Sequence, residues 1–113
     1  MLVGLTIILT IKESSEEEKQ VFFSNITGNL SAMVYAAGLY GILWEPNKLG
    51  FTQAGQLVQG LEGGLLNIVR YREHLETFNP HNCYGSYQTL LSSIEKYLKA
   101  CKKYPNAEVF TSS

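Results

Sequence analysis

The chain has 113 residues, of which 45% are hydrophobic and 17% charged, and its formal net charge is −1. This composition is typical of a globular protein, and the length predicts one domain over residues 1–113. A net charge so close to zero excludes the basic field of a protein that follows a DNA or RNA polymer. Two cysteines, Cys83 and Cys101, are too few for a disulfide framework and favour free thiols in a cytoplasm.

The two ends of the sequence predict strands. Residues 2–11 are rich in β-branched side chains without helical periodicity, which predicts a strand buried on both faces. A polar, acidic turn at 14–18 separates it from a second strand at 19–24, so we expect a hairpin. A third strand is predicted at 107–111, beside the first. The first apolar run is too short to span a bilayer, and no membrane association is expected.

The middle of the sequence predicts helices. Residues 31–43 have helical spacing interrupted by Gly38 and Gly41, which indicates a short helix with a broken end. Thr52 is the predicted N-cap of a long helix. Its predicted apolar face consists of Leu57, Val58, Leu61, Leu65 and Val69. Its glycines, at positions 55, 60, 63 and 64, indicate close approach of another backbone, from the same chain or from a second subunit.

The clearest helical pattern runs from residue 87 to residue 101, where apolar side chains recur every three or four positions. Ser86 is its predicted N-cap. The element order therefore predicts an α+β fold. We expect a small antiparallel sheet, made of the N-terminal hairpin and the C-terminal strand, covered on one face by about three helices.

The residue types argue against catalysis. The chain has no aspartate, and its only histidines, His74 and His81, do not share metal-ligand spacing with another donor. The glycines match no phosphate-loop motif. We therefore expect a non-enzymatic protein without a metal or a cofactor.

Two polar segments precede predicted helices and are the candidate site. The first, residues 24–29, carries Asn25, Thr27, Gly28 and Asn29. Helix starts expose unpaired backbone N–H groups and the positive end of the helix dipole, so they bind anions. An ordinary capping turn is the alternative interpretation, although a cap needs only one such side chain.

The second segment, residues 79–87, carries Asn82, Tyr84, Gly85 and Tyr87. Two tyrosines around a glycine can stack on a nucleobase while an asparagine amide binds its polar edge. A turn followed by core aromatics is the alternative.

Arg70 and Arg72 are the only arginines of the chain, and they follow the predicted long helix. A guanidinium group is well suited to bind phosphate, so both are candidate ligand-binding residues. A solvated surface position is the alternative for both of them.

The two polar segments, together with Trp44-Glu45-Pro46 and the segments 97–101 and 104–109, resemble a family of small proteins from tailed phages and prophages. The recurring signature of that family is Asn-[Ile/Val]-[Thr/Ser]-x-[Asn/Met]-[Leu/Trp] near the first helix and Asn-Pro-x-Asn-Gly-Trp-Gly-x-Tyr before the last. The resemblance extends from about residue 24 to residue 113 and preserves the order of the elements.

Members of this group are similar to viral sponge proteins, which sequester the cyclic nucleotide signals of CBASS and Thoeris anti-phage systems. The resemblance implies a phage protein in the cytoplasm of an infected bacterium that binds a cyclic or cyclised nucleotide. It implies contacts from Asn25, Thr27, Asn82, Tyr84 and Tyr87, with Gly85 between the tyrosines. A ligand with two phosphates and two bases suits a symmetric homo-oligomer, at least a dimer.

Two other functions remain open from the sequence. A phage inhibitor that blocks a host defence protein by direct contact would use the same exposed aromatic side chains as interface anchors. A nucleotide-cleaving enzyme is the weaker alternative, because the sequence lacks the usual catalytic groups.

Overall fold

The computed structural model describes residues 4–12, 17–79 and 86–113. Within these ranges three strands form one antiparallel sheet with the order β2-β1-β3. The strands are β1 (Leu5–Lys12), β2 (Glu18–Ile26) and β3 (Glu108–Ser112). The predicted hairpin and the predicted position of the third strand beside the first are therefore confirmed. Most of the predicted acidic turn lies outside the described residues.

Within the described residues, helices cover one face of the sheet and leave the other uncovered. Along β1 burial alternates, so that Leu5, Ile7 and Leu9 are buried whereas the intervening residues are partly exposed. The prediction that this strand is buried on both faces is wrong. Its outward positions include Ile8, which hides the alternation that a polar outer face would have shown in the sequence.

Five α-helices lie within the described ranges, where the sequence predicts about three. They are α1 (Ser31–Ala36), α2 (Tyr40–Trp44), α3 (Val58–Arg70), α4 (Arg72–Glu76) and α5 (Tyr87–Lys103). The predicted break in the first helix occurs at Gly38, whose φ of 76° ends α1 and redirects the chain into α2. The fold is α+β, as the sequence predicts.

A 3-10 turn, Ala54–Leu57, leads into α3. The capping residue of this turn is Gln53, whose side chain forms a reciprocal capping box with Gln56. The prediction that Thr52 is the N-cap is wrong. Gln53 also pairs with Glu108 as an isolated bridge, so the backbone at Thr52 is still in the extended stretch beside β3.

The buried side of α3 and of the preceding turn includes a glycine, Gly64. Its buried residues are Ala54, Leu57, Leu61, Gly64 and Ile68. Val69, which the sequence places on the apolar face, is 61% exposed. The predicted face is therefore rotated from the observed one, because a hydrophobicity pattern gives no weight to a buried glycine.

Two glycines of this region, Gly55 and Gly64, lie where another part of the chain comes very close to their backbone. A Cβ atom at Gly55 would lie 3.0 Å from the backbone oxygen of Pro105, as expected for a neighbouring backbone of the same chain. At Gly64 the neighbour is instead the side chain of Leu39, 2.1 Å from such a Cβ. Both contacts lie within one chain, so these two glycines give no support for a second subunit.

Helix α5 begins and packs as its sequence pattern predicts. Ser86 caps it, since the Ser86 hydroxyl accepts a hydrogen bond from the Thr89 N–H at 3.3 Å. Its buried side joins the single hydrophobic core and includes Tyr97 and Cys101. Burial raises the pKa of the Cys101 thiol to about 12 and also raises the pKa of Tyr97. These two groups are therefore uncharged core residues at neutral pH.

Candidate functional site

A groove lies at the end of the sheet where β1 begins, β2 ends and α5 begins. Its volume is about 460 Å³, within the range of small-molecule pockets. The residues that line it are Gly4, Leu5, Thr6, Asn25, Ile26, Thr27 and Thr89. The structure thus brings Asn25 and Thr27 of the first predicted segment together with Thr89 of the α5 first turn.

Asn25 lies in β2 rather than in a loop, because the strand continues to Ile26. Asn25 pairs with Thr6 of β1, and the Thr6 hydroxyl donates a hydrogen bond to the Asn25 Oδ1 atom at 2.8 Å. The amide nitrogen of Asn25 has no hydrogen-bond partner within the described ranges. Since Asn25 is exposed, this nitrogen can donate to a ligand in the groove.

Thr27 caps a short 3-10 turn, Gly28–Leu30. Its hydroxyl accepts a hydrogen bond from the Asn29 N–H at 3.4 Å, so one of the backbone donors predicted for an anion is used within the chain. Gly28 is buried. A turn this short has little of the dipole of a long helix, so the structure offers hydrogen-bonding groups here in place of the predicted helix-start anion site.

Close backbone packing shapes the floor of the groove at Gly4. A Cβ atom at Gly4 would lie 3.3 Å from the Ile26 carbonyl oxygen and 3.8 Å from the Gly28 nitrogen. The start of β1 therefore approaches the turn after β2 closely enough that a larger side chain would displace one of them.

Arg70 and Arg72 line a separate depression, which shares no residue with the groove. The Arg72 Nε atom lies 2.6 Å from the Glu76 Oε1 atom, and this hydrogen-bonded carboxylate raises the pKa of Arg72. Its guanidinium also lies 5.2 Å from the centre of the Tyr87 ring. Arg72 is thus engaged within the chain, whereas Arg70 is exposed and forms no ion pair among the described residues.

Tyr87 is a core residue, with only 3% of its surface exposed. Its hydroxyl donates to the Ile68 carbonyl oxygen at 2.7 Å, and its backbone N–H donates to the Asn79 Oδ1 atom at 2.8 Å. The prediction that this ring stacks on a nucleobase is wrong, because the core covers it. Asn82, Tyr84 and Gly85 lie outside the described residues.

Two groove residues, Thr6 and Thr89, were not predicted from the sequence. Thr6 has no local signal, because its position opposite Asn25 depends on the strand register. Thr89 could have been predicted as a site residue, since it follows the predicted cap Ser86 by three positions. It lies in the first turn of a helix with clear apolar periodicity.

The described residues of the groove provide only neutral groups. None of the described residues that line it is ionisable, and these residues offer hydroxyl and amide hydrogen bonds beside the apolar Leu5 and Ile26. In the described part of the chain, no three histidine, cysteine or acidic side chains cluster as metal ligands would. Within the same ranges, no helix has the length and apolar character needed to cross a membrane.

Comparisons of the chain with protein-family models, with curated proteins and with solved structures find no match.

Proposed function

We propose that the chain is a non-enzymatic binding protein that sequesters a cyclic or cyclised nucleotide immune signal in the groove at the end of the sheet. The observation that carries this proposal is the described lining of the groove, whose residues combine hydroxyl and amide groups with no ionisable side chain among them. Such a lining can hold the polar edges of a nucleotide by hydrogen bonds. The described part of this lining supplies no general acid or base, so binding without turnover is the activity that it favours.

The phage origin and the cytoplasm of an infected bacterium as the site of action enter the proposal through the family resemblance. Sequestration by such a protein is stoichiometric, so it requires abundance and tight binding rather than rapid chemistry. A groove of about 460 Å³ is large enough for part of a cyclic dinucleotide but open to solvent. A second copy that closes the groove would therefore increase the contact with ligand.

Calorimetric titration with a panel of cyclic dinucleotides, cyclic trinucleotides and cyclised ADP-ribose tests the groove. We expect Thr6→Val and Asn25→Ala each to weaken binding about fivefold to tenfold, the usual effect of losing one hydrogen bond. Thr10→Val is the matched control, because Thr10 lies on the same strand and the same face but outside the groove.

Recovery of the ligand after denaturation of the complex distinguishes sequestration from cleavage. Intact ligand agrees with the proposal, whereas a hydrolysed product identifies an enzyme. A wild-type protein that binds no member of the panel contradicts the proposed function, and so does a loss of affinity in Thr10→Val equal to that in Thr6→Val.

A homo-oligomer, at least a dimer, is part of the proposal, and the uncovered face of the sheet is the surface that favours it. Ile8 of β1 pairs directly with Phe23 of β2 and with Phe110 of β3. The two phenylalanines are 52% and 46% exposed, and the three side chains form one apolar row across the sheet. Packing of two such sheets face to face would bury this row. The Thr6–Asn25 pair lies on the same face of the sheet, two residues along each strand from the Ile8–Phe23 pair.

We expect the double variant Phe23→Ser, Phe110→Ser to be monomeric while the wild type has at least twice the chain mass of 12.6 kDa. Light scattering after size exclusion at micromolar concentration measures both. The control is Leu66→Ser with Val69→Ser, which removes two apolar side chains that are 62% and 61% exposed on α3. A wild type of 12.6 kDa, or a dimer lost only in the α3 variant, contradicts this interface.

The same exposed row is the observation that favours the second candidate function, direct inhibition of a host defence protein. Exposed aromatic side chains are frequent anchors of protein interfaces. A monomeric wild type that binds no nucleotide but loses its anti-defence activity in the double phenylalanine variant would support this alternative.

A further inference from the structure

A stack of three aromatic rings lies on α1 and α2, away from the groove. The Tyr35 and Tyr40 ring centres are 4.0 Å apart with planes within 9°, and the Tyr40 and Trp44 centres are 5.3 Å apart with planes within 11°. The turn at Gly38 makes this possible, since it brings the end of α1 back against the start of α2. Tyr40 and Trp44 are separated by one helical turn on α2.

The two ends of the stack differ in their surroundings. Trp44 and Tyr40 are partly buried and pack against the hydrophobic core. Tyr35 is 61% exposed, even though Tyr40 covers one face of its ring. Most of the exposed area of Tyr35 must therefore belong to its opposite face and its edges. The stack thus ends in the open face of the Tyr35 ring, and the rings of Tyr40 and Trp44 are stacked behind it.

The edge of the stack carries polar groups. The neighbouring Tyr35 hydroxyl raises the pKa of the Tyr40 hydroxyl. The ion pair between Glu45 and Lys48 lies close enough to that hydroxyl to act on it electrostatically. Donors and acceptors are therefore available beside an apolar ring face, the combination that a flat heterocycle with polar edges requires.

We infer that the open face of Tyr35 is a stacking site for a nucleobase, which continues the column of rings as its fourth member. Parallel stacking at about 4 Å is the geometry in which protein aromatics bind bases. A pyranose is the other ligand that packs on aromatic faces. The rings here lie one above another rather than side by side, so they present one ring face to solvent, which matches the area of a base better than that of an extended sugar chain.

This site shares no residue with the groove at the end of the sheet, and it does not depend on the proposed function. A base alone, without phosphate, is sufficient to test it. If the groove also binds a nucleotide, the chain would have two separate places for nucleotide chemistry.

Proton NMR of the protein titrated with adenosine, a base without phosphate, is the experiment. We expect saturable upfield shifts of the Tyr35 ring protons, because a stacked base places them in its ring current. Tyr35→Ala should lower the affinity for adenosine about tenfold or more, the usual effect of losing a stacked ring. Tyr35→Phe should retain the affinity, since it keeps the ring.

Tyr71→Ala is the matched control, because Tyr71 is 51% exposed and is not part of the stack. Titration with glucose tests the alternative ligand. The inference is overturned if adenosine causes no saturable shift, if Tyr35→Ala binds adenosine as well as the wild type, or if glucose saturates the site and adenosine does not.

Discussion

Replacing Gly64 by alanine should destabilise the fold by about 1–2 kcal/mol, whereas the same replacement at the neighbouring Gly63 should stabilise it by up to about 1 kcal/mol. Both residues lie inside α3, so alanine brings the same gain in helix propensity at each. The difference comes entirely from what the added methyl group meets.

At Gly64 the methyl group has no room. Its Cβ would lie 2.1, 2.5 and 2.9 Å from the Cδ2, Cγ and Cδ1 atoms of Leu39. Leu39 is fully buried, and its backbone is held by hydrogen bonds to Val34 and Leu43. It cannot move away without disturbing α2, so the cost of overpacking exceeds the gain in propensity. At Gly63 no atom lies within 4 Å.

Urea denaturation of the two variants and the wild type measures the difference. Gly60→Ala should fall between them, because its methyl group would meet only the flexible end of Ile42, the Cδ1 atom at 2.2 Å. Equal stability of Gly63→Ala and Gly64→Ala would contradict the packing of α2 against α3.

The architecture could be predicted because its signals are local. The β-branched run at residues 2–11 predicts β1, and the 87–101 periodicity with its Ser86 cap predicts α5. The strand faces could not be predicted, since Ile8 and Phe110 are apolar on the uncovered side of the sheet. The orientation of α3 was missed for a related reason, because Leu39 fills the space beside a buried glycine and no pattern within α3 contains that information.

The candidate site was predicted in part. Asn25 and Thr27 stand out in the sequence as an excess of polar groups, and the structure places both in the groove. Arg72 and Tyr87 were assigned to the ligand because a sequence does not show whether a polar group is already satisfied within the chain. In the structure each is engaged internally, Arg72 with Glu76 and Tyr87 with the Ile68 carbonyl group.

This internal role of Tyr87 leads to the second prediction. Tyr87→Phe should destabilise the protein by about 1–3 kcal/mol, because it removes a buried donor. Ile68 lies in the last turn of α3, where the carbonyl groups have no partner further along the helix. The Tyr87 hydroxyl supplies that partner at 2.7 Å. Phenylalanine keeps the ring but leaves the carbonyl oxygen buried without its donor.

Tyr97→Phe is the matched control, since it removes the same atom from another fully buried tyrosine on the same helix. The Tyr97 hydroxyl has no hydrogen-bond partner among the described residues. Its ring stacks on Phe22 at 5.5 Å, a contact that phenylalanine preserves. Removing an unpartnered buried hydroxyl relieves a desolvation cost, so Tyr97→Phe should be neutral or stabilising by up to about 1 kcal/mol.

Urea denaturation of the two variants decides between a structural and a ligand-binding role for Tyr87. A large loss of stability in Tyr87→Phe alone, with unchanged affinity for any nucleotide that the wild type binds, is expected if Tyr87 joins α5 to the end of α3. If the two variants are equally stable, the Ile68 hydrogen bond contributes nothing measurable. If Tyr87→Phe keeps its stability and loses nucleotide affinity, the hydroxyl must contact the ligand instead, and the position of α5 against α3 described here is incorrect.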